Sequence, residues 1–157
     1  MKENTKLLIK SLALPLLVGI VSGLLTRGAM QDFQALVKPP LSPPAWLFPV
    51  VWTILYTLMG YSSYLIKKAD ADSEAKSDAL MFYHYQLIVN FLWPIFFFNF
   101  GWYLFSLAWL LLLWGLVFLM IRSFSKISKT AAYLNIPYLI WLTFAAYLNA
   151  GIWWLNR

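Results

Sequence analysis

The chain has 157 residues, of which 62% are hydrophobic and only 11% charged, with a formal net charge of +6 and no cysteine. A soluble domain carries roughly 25% charged residues, and one this small and apolar would expose patches that drive aggregation. The lack of cysteine excludes disulfides, thiolate catalysis and sulfur-ligated metals.

Five stretches, over 7–26, 46–66, 80–98, 102–121 and 131–155, supply the roughly 20 mostly apolar residues needed to cross a hydrocarbon core of about 30 Å. They predict an all-α integral membrane protein: one domain over 1–157, a five-transmembrane-helix bundle with a long Pro-rich first loop. The N-terminal MKENTKLLIK resembles a signal peptide, but its apolar run is long and no A-x-A-type site follows, so it reads as a retained first helix. Five alternating spans put Lys2, Lys6, Lys10, Lys67, Lys68, Lys76, Arg122, Lys126 and Lys129 on one side, and only Arg27, Lys38 and Arg157 on the other. That asymmetry predicts a cytoplasmic N-terminus and an outside C-terminus. No compact basic face exists, so nucleic acid is not an expected partner.

The first helix contains Pro15 and Gly19-x-x-x-Gly23, a close-packing pattern read here as a contact with a neighbouring helix rather than a dimer seam. The loop after Arg27 and Gly28, Ala29 to Ala45, is long enough to suggest a role of its own. It holds the pairs Pro39-Pro40 and Pro43-Pro44, whose rings lock φ and disfavour the α region in the preceding residue. Such a stiff segment can form a preformed lid. The second helix carries Trp52 and Tyr56 four residues apart, on one face. A rigid lid over an aromatic cleft suggests a flat, apolar ligand.

ADADSEAKSD follows as a polar linker, with Asp78 the expected cap of the third helix. In that helix Gln86, Asn90 and Pro94 repeat every four residues, and the amides should face protein or a polar ligand group. His84 is the one histidine and reads as an interfacial or packing residue, since no second metal ligand accompanies it. The fourth helix is apolar all round, with no stripe to assign. In the fifth, Pro137, Trp141, Ala145 and Asn149 share a face; the order proline, aromatic, small, amide implies a recess, opened by a proline bend inside the span.

All six carboxylates, Glu3, Asp32, Asp70, Asp72, Glu74 and Asp78, lie outside the expected spans, whereas proton-coupled transporters and intramembrane hydrolases place ionisable groups inside. No phosphate loop, nucleophile–histidine–carboxylate set or metal-ligand spacing occurs. The reading is of a binding protein without a required cofactor or metal.

The runs KPPLSPPAWLFPVVWTILYTLMGYSSYL, YQLIVNFLWPIFF and IPYLIWLTFAAYLN together resemble the TspO/MBR family, called tryptophan-rich sensory protein in bacteria and translocator protein, or peripheral-type benzodiazepine receptor, in mitochondria. The resemblance spans nearly the whole chain, in order. It implies a five-helix bundle, often a homodimer, in a bacterial cell membrane, with a pocket opening toward the first loop. It implies binding of porphyrins such as protoporphyrin IX and of isoquinoline carboxamide and benzodiazepine ligands. Trp52 and Trp141 fall where the family's tryptophans for porphyrin binding and photo-oxidative breakdown stand, Asn90 and Asn149 where its pocket amides stand, and Pro39, Pro43 and Pro44 on its lid.

The candidate ligand-binding set is therefore Phe33, Pro39, Pro43, Pro44, Trp52, Tyr56, Gln86, Asn90, Trp93, Trp141, Ala145 and Asn149, with Trp52 and Trp141 as catalytic residues only if light- and oxygen-dependent porphyrin degradation is the activity. Transport of porphyrin or another apolar solute is the remaining alternative. Two departures stand out. Asp32-Phe33 replaces the family's Trp-Tyr pair, removing a hydroxyl. Ala150 stands where the cholesterol-recognition pattern has a tyrosine, which argues against sterol binding; such patterns are weak in any case.

Overall fold

The computed structural model describes residues 2–157, all of whose regular structure is helical. Five helices have 20 residues or more: α1 (Lys2–Thr26), α3 (Leu47–Lys68), α4 (Ser73–Pro94), α5 (Tyr103–Ser125) and α7 (Ile136–Leu155). Two short helices, α2 (Met30–Gln34) and α6 (Lys129–Tyr133), lie between them. Four segments are long and apolar enough to cross a membrane: Lys2–Gln34, Ser73–Asn99, Tyr103–Ser125 and Lys129–Leu155. The expected count of five spans is met here by four, because α3, though 22 residues long, mixes Trp52, Tyr56, Tyr61, Ser62, Ser63 and Tyr64 into its apolar run.

The helices close into a ring. α1 packs along α3 and touches α4; α4 lies along α5; α5 lies along α7; α3 completes the circuit through α6. The tight α1–α3 seam depends on Gly60, where an added Cβ would come within 2.6 Å of the Ser11 carbonyl oxygen and 2.8 Å of the Leu12 Cα. Farther up, Gly19 lies flat against the Tyr56 ring. The first half of the glycine pattern is thus an internal packing contact.

Several local details differ from the sequence reading. The third helix begins at Ser73 after Asp72, not at Asp78, so six of the ten residues of the polar linker are helical. The fifth span is interrupted after Tyr133; Ser128 caps α6 by accepting a hydrogen bond from the Ala131 N–H at 3.2 Å. Pro137 then sits in the first turn of α7, where its missing N–H leaves no bond unmade. It starts a helix instead of bending one, and it is exposed. α5 does have an inner stripe: Ser106, Leu110, Leu113, Val117, Met120 and Phe124 are buried at alternating four- and three-residue steps. The spacing is that of a helix–helix seam, but a uniformly apolar helix cannot reveal which face will use it.

The end near Lys2, Lys68 and Ser73, here called the base, is solidly filled: Met59, Ile66, Tyr83, Phe124 and Tyr138 are at most 1% exposed. At the opposite end the first connection folds over the bundle as a strap. It is partly ordered, as a 3-10 turn (Arg27–Ala29) and α2, before the proline pairs. Beyond Pro94 the α4 backbone widens into a π turn, Ile95–Asn99, and Gly101 with φ 65° turns the chain into α5.

Candidate functional site

Beneath the strap lies a cavity of 580 Å³, walled by α1, α3, α4 with its π turn, and α7. Four of its walls originate in small or ring-shaped side chains. On α1, Gly19, Ser22, Gly23 and Thr26 form a groove at helical spacing. The Ser22 and Thr26 hydroxyls donate to the carbonyls of Gly19 (3.4 Å) and Ser22 (2.9 Å) of their own helix, which keeps the groove narrow and apolar. A Cβ on Gly23 would meet nothing within 4 Å.

α3 contributes Phe48, Pro49, Trp52 and Tyr56. Trp52 stacks on Tyr56 at 5.4 Å between centroids and sits edge-on to Tyr138 at 6.1 Å. α7 contributes Trp141, Ala145, Leu148, Asn149 and Ile152, with Trp141 edge-on to Phe48 at 5.9 Å. The π turn re-aims α4 so that Phe97 and Phe98 join Trp93 on the wall; Trp93 and Phe97 stack at 4.9 Å, and Phe33 from the strap meets Phe98 at 5.2 Å.

The floor is a relay of hydrogen bonds. Tyr56 O–H donates to Asn90 Oδ1 (2.9 Å), Asn90 Nδ2 to Tyr138 Oη (2.6 Å), Tyr138 O–H to Gln86 Oε1 (2.7 Å), and Gln86 Nε2 reaches Met59 Sδ (3.7 Å). All these groups are buried, so each donor left without a partner would cost about 1–3 kcal/mol. On the wall, Trp93 Nε1 donates to Asn149 Oδ1 (3.1 Å) and Asn149 Nδ2 to the Tyr103 carbonyl (2.8 Å). Each amide retains one lone pair and one N–H beyond these bonds. Among the described residues no protein acceptor engages the indole N–H of Trp52 or Trp141.

Besides the Phe33 ring contacts with the π turn, the strap is fastened by hydrogen bonds to α7 and its C-terminal cap. Asn156 clips it: Val37 N–H donates to Asn156 Oδ1 (2.9 Å) and Asn156 Nδ2 donates to the Val37 carbonyl (2.8 Å). Tyr147 O–H donates to the Pro40 carbonyl (2.7 Å), and the Pro39 ring rests on Gly151, where a Cβ would lie 2.6 Å away. Leu41, at φ 69°, then turns the chain back toward α3.

Of the twelve residues singled out by sequence, ten line this cavity: Phe33, Pro43, Pro44, Trp52, Tyr56, Asn90, Trp93, Trp141, Ala145 and Asn149. Gln86 lies one level below, under Tyr138, and Pro39 lies behind the wall on Gly151. Both support the site without facing it. The sequence reading omitted the α1 groove, Arg27, Met30, Phe48, Phe97 and Phe98. The groove was visible as small residues at 19, 22, 23 and 26; the phenylalanines depended on a π turn that only Pro94 hinted at. His84 is exposed, edge-on to Tyr83 at 5.5 Å.

The sequence model of the TspO/MBR family matches residues 11–155. The chain is 36% identical over 146 residues to the tryptophan-rich protein TspO of Chlorobaculum tepidum, covering 92% of each chain. It is 38% identical over 149 residues to the translocator protein of Bos taurus, covering 92% of this chain and 86% of that one. With the tryptophan-rich sensory protein of Cereibacter sphaeroides it shares 36% over 135 residues, 83% of each.

Proposed function

This chain belongs to the TspO/MBR family and is an integral membrane protein, and from that premise we propose that it is a membrane receptor or sensor for porphyrins of the protoporphyrin IX type. The same cavity would accept isoquinoline carboxamide and benzodiazepine ligands. α3 is then a fifth span: at 22 residues it reaches about 33 Å, and its Tyr56, Ser62, Ser63 and Tyr64 side chains are buried in the bundle rather than facing lipid. The strap end lies outside the bacterial cell membrane, the base in the cytoplasm.

The observation that carries this reading is the cavity itself. It falls within the size range of small-molecule pockets, about 300–1,000 Å³, it is apolar, and two tryptophans from separate helices border it with unengaged indole N–H groups. Burial of a macrocycle at about 25 cal/mol per Å² supplies most of the affinity; ring contacts add about 0.5–1.5 kcal/mol each. Neither indole is part of the hydrogen-bonded floor, so Trp52→Ala and Trp141→Ala should each weaken porphyrin binding by about tenfold or more and leave the bundle folded. Fluorescence-quenching titration beside a melting curve checks this, and unchanged affinity in both variants would remove the assignment.

The stacked Trp52–Tyr56 pair, with its phenol hydrogen-bonded to Asn90, favours a second reading. A readily oxidised ring pair at the cavity floor suits light- and oxygen-dependent porphyrin breakdown. A defined product under illumination, lost in Trp52→Phe, supports that reading; general bleaching unaffected by the substitution opposes it.

A further inference from the structure

The cavity that the proposed function assigns to a flat apolar ligand has a charged rim of one sign. Arg27 and Lys38 both line it, and no aspartate or glutamate does. Neither cation forms an ion pair among the described residues. Arg27 follows the last turn of α1 and is an exposed residue of the cavity lining. Lys38 is half-buried: its ammonium donates to the Gln34 carbonyl (3.2 Å) and the Leu36 carbonyl (3.4 Å), and lies 4.9 Å from the centre of the Phe33 ring. Those two bonds leave one of its three N–H donors free.

The placement runs against the general rule for such helices, in which cations concentrate on the cytoplasmic side. Three of the chain's twelve cations lie at the strap end, and two of them are on this rim. The third, Arg157, is stacked on Trp154 at 3.6 Å, away from the cavity. The rest of the lining is apolar apart from the bonded hydroxyls and amides of Ser22, Thr26, Ser42, Tyr56, Asn90 and Asn149, the Gln34 amide and the indole N–H groups. A ligand that matches both halves has a flat apolar body and acidic groups along one edge.

We infer that Arg27 and Lys38 are specificity-determining residues that receive the ligand's carboxylates at the cavity mouth, so that the site selects acidic amphiphiles over their neutral esters. This rests on the receptor reading above. The guanidinium can take a carboxylate in a bidentate fork, and the ammonium adds a point charge already held in place by the strap. The ring edge bearing the acids faces the mouth, and the opposite edge goes down toward Asn90. The rim charge also draws anionic ligands toward the entrance, an effect that weakens with added salt.

The test compares protoporphyrin IX with its dimethyl ester by fluorescence titration in uncharged detergent, on the wild-type protein, Arg27→Gln and Arg27→Gln/Lys38→Gln. Differences in micelle partitioning cancel, because each ligand is compared only across variants. The diacid should weaken about three- to tenfold in the single variant and further in the double, as for partly exposed charge-assisted bonds, while the ester is unmoved. Arg27→Lys should recover part of the loss. Equal effects on acid and ester, or none on either, overturn the inference while leaving porphyrin as the ligand. Failure of the wild-type protein to bind either compound removes the receptor reading, and the inference with it.

Discussion

The base and the strap end of this bundle are built from the same helices, yet one is solid and the other hollow. At the base, Gly60 lets α1 and α3 touch backbone to backbone, and Tyr83, Tyr138, Met59 and Phe124 fill the centre. At the strap end α1 offers another glycine, Gly23, but nothing approaches it. Large side chains are as abundant there: Trp52, Trp93, Trp141, Phe48 and Phe98 line the space and remain partly exposed to it. The difference is in what holds the rings apart. The buried chain Tyr56–Asn90–Tyr138–Gln86 fixes the floor, the π turn widens α4, and the strap is tied to α7 instead of sinking between the helices. Hollowness is therefore a property of the scaffold, and a small residue has opposite meanings at the two ends.

The sharpest way to break this contrast is to add a branched apolar side chain at both ends. Gly60→Val drives a branched side chain into the α1 backbone and should cost about 3 kcal/mol or more, read as a large fall in melting temperature or loss of folded protein. Asn90→Ala, at the boundary, leaves the Tyr56 O–H without an acceptor and the Tyr138 oxygen without its donor, and should cost about 2–3 kcal/mol. A melting curve of Asn90→Ala that matches wild type would show that the floor does not depend on that relay. Gly23→Leu should change stability by no more than about 0.5 kcal/mol while filling the cavity and weakening porphyrin by more than about tenfold. Equal stability losses at Gly60 and Gly23 would contradict the comparison.

Smaller effects belong to the strap. Asn156→Ala removes the clip on Val37, a pair of bonds worth about 1 kcal/mol net, and should appear as faster ligand release in stopped-flow with little change in melting. Leu41 holds a left-handed conformation that side chains resist; Leu41→Gly should raise stability by up to about 1 kcal/mol, visible as a small increase in melting temperature.

Much of this was legible in the sequence where a residue type has one structural meaning. Long apolar runs gave the helices, and the tryptophans and amides at four-residue spacing pointed to one face, which is the cavity face for Trp52, Tyr56, Trp141, Ala145 and Asn149. Legibility failed where meaning depends on context. Gly19 and Gly23 are identical on paper, but in the fold Gly19 is covered by Tyr56 and Gly23 by nothing within 4 Å. Pro137 was expected inside a helix and stands at the start of one, because the chain breaks at Asn135, whose side chain bonds Ser62 (2.8 Å) and the Ala131 carbonyl (3.0 Å). Gln86 and Asn90 share a stripe, yet one turn of helix separates a residue under the floor from one in it. The inner stripe of α5 left no trace but Ser106, since the other positions over 104–121 are apolar all round.

The central claim is that the hollow end, between Trp52 and Trp141 and under the strap, is where the ligand resides. An experimental structure of the protein with protoporphyrin IX bound tests it most directly. The account predicts a macrocycle bordered by both indoles, its lower edge above Asn90 and its acids toward Arg27 and Lys38. Porphyrin found instead in the open groove beside Tyr147, Trp153 and Trp154, with the cavity filled by collapsed side chains, would contradict it.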